Sequence, residues 1–401
     1  MTNEKFLQTT IIGKAQNMNK TKSYRLNIAM EKYFDLIKLY TSTGITSRAA
    51  LHNLMYDGVK NDFNINTALI QTAANKATEI LKSYNETGKK IGNNKKKQNR
   101  KLRLNKTSIR FDSRTFKFSR TDNILTPYWV TLSLTGIKAE RISVPIMLGK
   151  KQTIKLEEKL KNGWRVKSVE MVKKNKEWRV HLILEKWVKF EEPKNVKTVI
   201  CIDLGEKNFA AAIAINVGKD ENNNIISIEK PIKGQFWRGE DIKRIRGLYG
   251  HIRRNLGRKK LPNKIKEIGQ KEKRKVNQEI HNTANEIVKY VQQFKSPVIV
   301  LEDLTNIRDR FSATKELNRR FHSLPFYTLK MYIEYKANSV GIDVINISTS
   351  DTTKTCHICK NVSLYKIQKR EYTCFECEMV YNRDLNSAVN IADRYIELVN
   401  M

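Results

Sequence analysis

The chain has 401 residues and sets 76 Lys and Arg against 41 Asp and Glu, for a formal net charge of +35 and a pI near 9.9. Such an excess repels itself unless a polyanion neutralises it, which points to nucleic acid or an anionic membrane surface. No apolar run approaches the roughly 20 residues of a membrane span, which excludes a helical membrane protein, and no charged-then-apolar leader opens the chain, so a cytoplasmic protein of two or three domains is expected.

Phe6 to Ile12 reads as a short strand. From about Arg25 to Tyr84 apolar residues recur every three or four positions, among them Ile28, Phe34, Ile37 and Tyr40, then Leu69, Ala73, Ala77, Ile80 and Leu81. That period predicts a helical bundle with a solvated polar face, punctuated by Gly44, Gly58 and Gly88. Between Glu86 and Asp112 stand ten Lys or Arg and no acid. A run of this kind is usually solvated, but in so basic a chain it is expected against a phosphate backbone. From Ser108 to Phe190 alternation takes over, in stretches such as Trp129 to Leu134, Trp164 to Val172 and Trp178 to Leu184, and predicts a small β-barrel. Barrels of this size serve as nucleic-acid platforms or simply bury their aromatics as core.

After Pro193, Val199 to Gly205 and Phe209 to Ile215 read as a hairpin of buried strands with Asp203 inside the first. An ionised Asp in an apolar strand is costly unless a cation or hydrogen bonds offset it, and a metal ion is the obvious candidate. The motif alone fits a solvated strand end, an actin-like ATPase or a nuclease. Glu206-Lys207-Asn208 after Gly205 lacks the small residues of a phosphate cradle. A third strand is expected near Ile225 to Ile228, and Gln235 to Phe294 reads as mostly helical. Within it Lys243 to Lys275 holds 14 Lys or Arg and two acids, Glu267 and Glu272, with Pro262 breaking it into two long helices suited to lie along a nucleic-acid duplex.

Pro297 to Leu304 is a further apolar strand ending in acids, followed by a helix from about Phe326 to Val340 and a strand from Ile342 to Ile347. Tyr381 to Ala392 opens a last helix, with Asp384 in its first turn. This order is that of a mixed α/β sheet, whose sites lie beyond the strand ends. Asp203, Glu302 and Asp384 are far apart in sequence and can meet only through tertiary structure. If they converge, they supply hard oxygen ligands for Mg²⁺, and two such ions suit phosphodiester hydrolysis. Of the adjacent Glu302 and Asp303 only one is expected to face the site, because neighbours on a strand point to opposite faces, and Glu302 is the one chosen.

Cys201 lies inside an apolar strand, whereas Cys356, Cys359, Cys374 and Cys377 form two CxxC pairs separated by 14 residues. That spacing fits a tetrahedral Zn²⁺ site better than disulfides. His357, inside the first pair, is read as a bystander because four thiolates complete the shell.

With these residues in hand the chain resembles TnpB, the transposon-encoded RNA-guided nuclease, and its relatives the miniature type V CRISPR effectors. The likeness runs from Val199 to Ala392. It rests on Cys201-Ile202-Asp203-Leu204-Gly205-Glu206-Lys207-Asn208, Gln235-Phe236-Trp237-Arg238, Glu272 to His281, Leu301-Glu302-Asp303-Leu304, Pro325 to Ala337, the four cysteines and Asn382-Arg383-Asp384-Leu385-Asn386-Ser387-Ala388; earlier segments agree more weakly. The resemblance implies an α/β ribonuclease H-like (RuvC-type) nuclease domain in two parts, 193–350 and 381–401, with a zinc-ribbon insertion at 351–380 that helps load the target strand. It also implies an N-terminal β-barrel (wedge) domain, 1–22 and 101–192, with a helical recognition domain inserted at 23–100. Asp203, Glu302 and Asp384 match the catalytic acids. Guide RNA and double-stranded target DNA, read beside a short target-adjacent motif, are the implied partners of a protein expected as a monomer, with a dimer as the alternative. A miniature type V CRISPR effector and a nuclease-inactive RNA-guided DNA binder are the alternatives for function. The chain departs from the family in having Lys360 and Glu378 where glycine usually follows each cysteine pair, and Arg383 where alanine is usual.

Overall fold

The computed structural model describes residues 4–91, 102–104, 108–135, 137, 140–175, 177–205, 208–219, 225–303, 325–347, 352, 354–363 and 371–400. Much of the basic run between Lys89 and Lys106, and Glu206 with Lys207, lie outside them. The chain divides into two compact units, Phe6–Lys186 and Trp187–Met401, the latter joined by Met1–Lys5. No helix among the described residues is long and apolar enough to cross a membrane.

The Phe6–Lys186 unit is built on a seven-stranded sheet. Its strands are β1 (Glu4–Ala15), β2 (Ile109–Asp112), β3 (Phe116–Arg120), β4 (Tyr128–Leu132), β5 (Ile142–Met147), β6 (Arg165–Lys174) and β7 (Glu177–Lys189), in the order β2-β6-β7-β1-β5-β4-β3. The two outer strands are consecutive in sequence and joined by the tight turn in which Thr115 N–H donates to Asp112 O at 2.8 Å, so the sheet must curl back on itself as the expected barrel does. Alternate residues, such as Tyr128, Val130 and Leu132, point inward. Helices α1 (Lys20–Ser42), α2 (Arg48–Phe63) and α3 (Thr67–Ile91) share that core through Leu26, Tyr33, Leu36, Leu51, Leu69 and Ala73, and α4 (Lys150–Lys161) contributes Leu156. Polar groups fix α3 to the sheet: Arg110 donates to Glu170 at 2.9 Å and forks onto Glu79 at 2.8 and 3.1 Å. Gly44, with φ +70°, ends α1 as a left-handed turn requires, whereas Gly58 sits inside α2 instead of breaking it.

The second unit holds a five-stranded sheet of β8 (Thr198–Asp203), β9 (Asn208–Lys219), β10 (Ile225–Arg238), β11 (Pro297–Glu302) and β12 (Val344–Ile347), in the order β10-β9-β8-β11-β12. β8, β9 and β10 form an antiparallel meander, and β11 and β12 continue it in parallel with β8. The strand β10 is far longer than the four residues expected. It carries Gln235 to Arg238, read from sequence as helical, into the sheet, because register shifts at Ile228/Pro231 and Pro231/Lys233 let pairing continue past Pro231.

Helices α5 (Glu240–Arg258) and α6 (Pro262–Val291) form the expected basic hairpin, joined by Lys259–Leu261, and α7 (Phe326–Asn338) follows β11. Their apolar stripes, including Ile242, Ile280, Ile287, Leu329 and Ile333, cover one face of the sheet against Ile200, Ile202, Ile299 and Leu301. The opposite face, carrying Val199, Cys201, Val298 and Val300, is covered by α8 (Arg383–Asn400) through Ala388, Ile391, Ala392 and Tyr395. A two-stranded ribbon, β13 (Glu371–Thr373) with β14 (Val380–Asn382), leads directly into α8.

Candidate functional site

Strand alternation decides where the acids point. On β8, Ile200 and Ile202 belong to the α6–α7 face and Val199 and Cys201 to the α8 face, so Asp203 continues the α8 face. On β11, Ile299 and Leu301 face α6–α7 and Val298 and Val300 face α8, which places Glu302 with Asp203. Pairing ends with Leu301 opposite Ile202, and the next position on each strand is the acid. Two half-buried carboxylates therefore stand level on adjoining parallel strands, about 4.8 Å apart at the backbone. Asp303 lies on the other side of the chain: Lys330 of α7 pairs with it at 3.6 Å and donates to Glu302 O at 3.3 Å.

α8 packs through Ala388, Ile391, Ala392 and Tyr395 on the sheet face that Asp203 and Glu302 continue. Burial pushes up the Cys201 thiol and the Tyr395 hydroxyl on that face. The first turn of α8 opens directly after β14. Asp384 occupies that first turn; its side chain lies outside what the structure describes.

The four cysteines are brought together as expected. All four thiols are free, and their sulfurs lie within 4.8 Å of one another. Cys356 Sγ is 3.7 Å from Cys377 Sγ, and Cys359 Sγ is 3.6 Å from Cys374 Sγ. These separations are far too long for a disulfide and close to the edge of about 3.8 Å of a tetrahedron with metal–sulfur bonds of about 2.3 Å, so the donor set fits Zn²⁺. The crowded thiols share their protons unevenly: Cys374 is lowered, first by the backbone N–H of Cys377, while Cys359 and Cys377 are raised. Lys360 and Glu378 adopt the left-handed backbone conformation, φ +59° and +57°, at the positions following each pair. Between the ribbon's hairpins opens a cleft of about 320 Å³ lined by Tyr372, Phe375, Tyr381 and Lys354, with Phe375 86% exposed.

A family model for the Cas12f1-like TNB domain matches residues 326–391, which span α7, β12, the cysteine cluster and the first half of α8. A TnpB-like protein of Methanocaldococcus jannaschii is 30% identical over 210 residues, 51% of this chain and 71% of that protein. The chain belongs to the TnpB-like family. A CRISPR-associated endodeoxyribonuclease Cas12f1 of Sulfoacidibacillus thermotolerans is 39% identical to this TnpB-like chain over 95 residues, 23% of the chain and 21% of the relative. Among solved structures, a cryo-EM Cas12f1–sgRNA–target DNA complex superposes with TM-score 0.66 at 16% identity, covering 94% of this chain and 83% of that one. CasPhi-2 bound to crRNA gives 0.53 at 9% identity over 99% of each chain. These two likenesses are of fold.

Sequence reasoning passed over the polar belt that ties the cysteine cluster of this TnpB-like protein to α8. His357 lies outside the group formed by the four cysteine sulfurs and bonds instead to α8. Its backbone N–H and ring Nδ1 lie 2.8 and 2.9 Å from Asn386 Oδ1, and Asn386 Nδ2 donates to Thr355 O at 2.7 Å. Asn386, Ser387 and Asn390 are the buried polar residues of a helix whose other buried positions are apolar, and side chains of this kind read as solvated until their partner segment is placed beside them.

Proposed function

We propose that the protein is an RNA-guided DNA endonuclease of the TnpB type, whose RuvC-type, ribonuclease H-like domain cleaves target DNA with Asp203, Glu302 and Asp384. The observation that carries this reading is the pair of acids level on two adjoining parallel strands, on the face covered by the helix whose first turn holds Asp384. Three carboxylates are the donor set for Mg²⁺, and two ions held there would activate water and stabilise the leaving oxygen of a phosphodiester. The chain's own part is to concentrate negative charge at one end of a rigid sheet and keep its apolar faces dry. Lys330 holds Asp303 on the opposite face, where it takes no share in the site.

Guide RNA and target DNA are bound by the basic surfaces, above all the exposed cations of α5 and α6. The barrel (1–22 and 101–192) and the inserted helices (23–100) act as wedge and recognition domains, and the cysteine ribbon (351–380), holding Zn²⁺, guides the target strand. Its exposed Phe375 and neighbouring Lys354 offer an unstacked base a ring and a cation. The test is cleavage of a plasmid programmed by a cognate guide RNA, with Asp203→Ala as the comparison. Uncut target with wild-type protein and bound guide overturns the reading. The match to Cas12f1 supports a miniature type V CRISPR effector as the second reading. Sequencing the RNA that copurifies separates the two: a transposon-end transcript marks TnpB, and repeat-spacer RNA the CRISPR effector.

A further inference from the structure

α8 has two buried faces of opposite character. One is apolar and rests on the sheet. The other presents Asn386, Ser387 and Asn390, which are 0%, 1% and 5% exposed, to the segment around the first cysteine pair. Asn386 Oδ1 meets His357 twice and its Nδ2 reaches Thr355 O at 2.7 Å. Asn390 Nδ2 donates to Thr352 O at 2.9 Å and Thr355 O at 2.7 Å, and Ser387 Oγ to Thr352 Oγ1 at 3.4 Å. One turn on, Lys360 pairs with Asp393. Apolar contacts alone let a helix slide and turn on a sheet, whereas several directional hydrogen bonds from buried amides fix both. Thr355 and His357, the partners of Asn386, flank Cys356, so the geometry of this belt is set by the knuckle that a metal would close.

We propose that Asn386 is a positioning residue through which the zinc ribbon fixes the first turn of α8, coupling occupancy of the four-cysteine site to the affinity of the acid site for its divalent ion. This rests on the reading of Asp203, Glu302 and Asp384 as that site. Asp384 is two residues before Asn386, within the same helical turn. When the cluster loses its metal, the knuckle opens and the belt loses its partners. The buried hydrogen bonds of Asn386, Ser387 and Asn390 no longer fix the start of α8, while its apolar face further along still rests on the sheet. Because coupling between two binding sites is reciprocal, divalent ion at the acids must retain zinc at the cysteines by the same factor.

The experiment measures Mn²⁺ affinity by electron paramagnetic resonance on the full chain, zinc-loaded and zinc-stripped, for wild type and Asn386→Ala, and zinc release to a chromophoric chelator with and without Mg²⁺. Removing zinc from wild type is expected to weaken Mn²⁺ binding about fivefold or more, and Mg²⁺ to slow zinc release correspondingly. Zinc-loaded Asn386→Ala is expected to keep one zinc, bind Mn²⁺ as weakly as stripped wild type, and change no further on stripping. Hydrogen exchange should rise across 383–390 and stay slow in β8 and β11. Asp393→Asn, which breaks only the outer link, serves as the variant that retains the buried belt and should keep the coupling. Equal Mn²⁺ affinity in loaded and stripped wild type, or wild-type affinity in zinc-loaded Asn386→Ala, overturns the proposal. Mn²⁺ binding that survives Asp203→Ala shows instead that the acid site itself is misassigned, and the coupling falls with it.

Discussion

At the scale of single residues, the structure makes neighbours do different work. Glu302 shares the α8 face with Asp203, and Asp303 turns to Lys330 on the other face. Glu302→Ala and Asp203→Ala remove ligand charge and are expected to lower programmed cleavage by roughly a hundredfold or more. Asp303→Ala loses its part-exposed ion pair with Lys330 and should cut within severalfold of wild type. A cleavage time course in which Asp303→Ala is dead and Glu302→Ala active reverses the assignment. Lys360 and Glu378 pose a different problem, since each holds a left-handed conformation that costs a non-glycine residue about 1 kcal/mol. Glu378→Gly should remove that cost and tighten zinc about fivefold in competition with a chelator. Lys360→Gly should gain less, because it also gives up the pair with Asp393.

At the scale of elements, the sequence made the repeating parts legible and concealed those set by long-range pairing. Period-two and period-3.6 patterns located the barrel strands, the bundle, the basic hairpin and the last helix. The extent of β10 was concealed because Gln235 to Arg238 joins the sheet through bulges and pairing with β9, neither of which leaves a local signature. The cysteine cluster was legible from spacing alone, and strand alternation implied that Glu302 and Asp303 part to opposite faces. The belt on α8 was not, since an Asn in a helix reads as solvated until its partner segment, some 30 residues earlier, is placed beside it. These contacts predict how the ribbon fails. Cys374→Ser leaves three ligands, should lose zinc in metal analysis, and should expose 354–363 and 371–382 to hydrogen exchange. The core of β8 and β11, walled by α6 and α7 on one face, should keep its protection. Collapse of that protection would show that the ribbon is part of the sheet's core and no insertion.

At the scale of the whole molecule, +35 is a property that no packing argument explains and that function must. Folding leaves most of this charge in water: on α5 and α6, Arg254, Arg258, Lys266 and Lys273 are all exposed, while the apolar stripes of the same helices face the sheet. A surface of this kind binds a polyanion by releasing its counterions, so affinity for a structured RNA should fall steeply between low and moderate salt. With six or more phosphates neutralised the loss is about a thousandfold between 50 and 200 mM. Replacing these four cations by Gln should leave the melting temperature near wild type, because each side chain projects into solvent. It should also reduce the slope of log affinity against log salt by roughly 3, at 0.7 to 0.9 per lost contact. Filter binding across a salt series reads both quantities. A slope unchanged by the four replacements would mean that RNA lies elsewhere on the chain, and a wild-type slope near zero would remove the electrostatic account altogether.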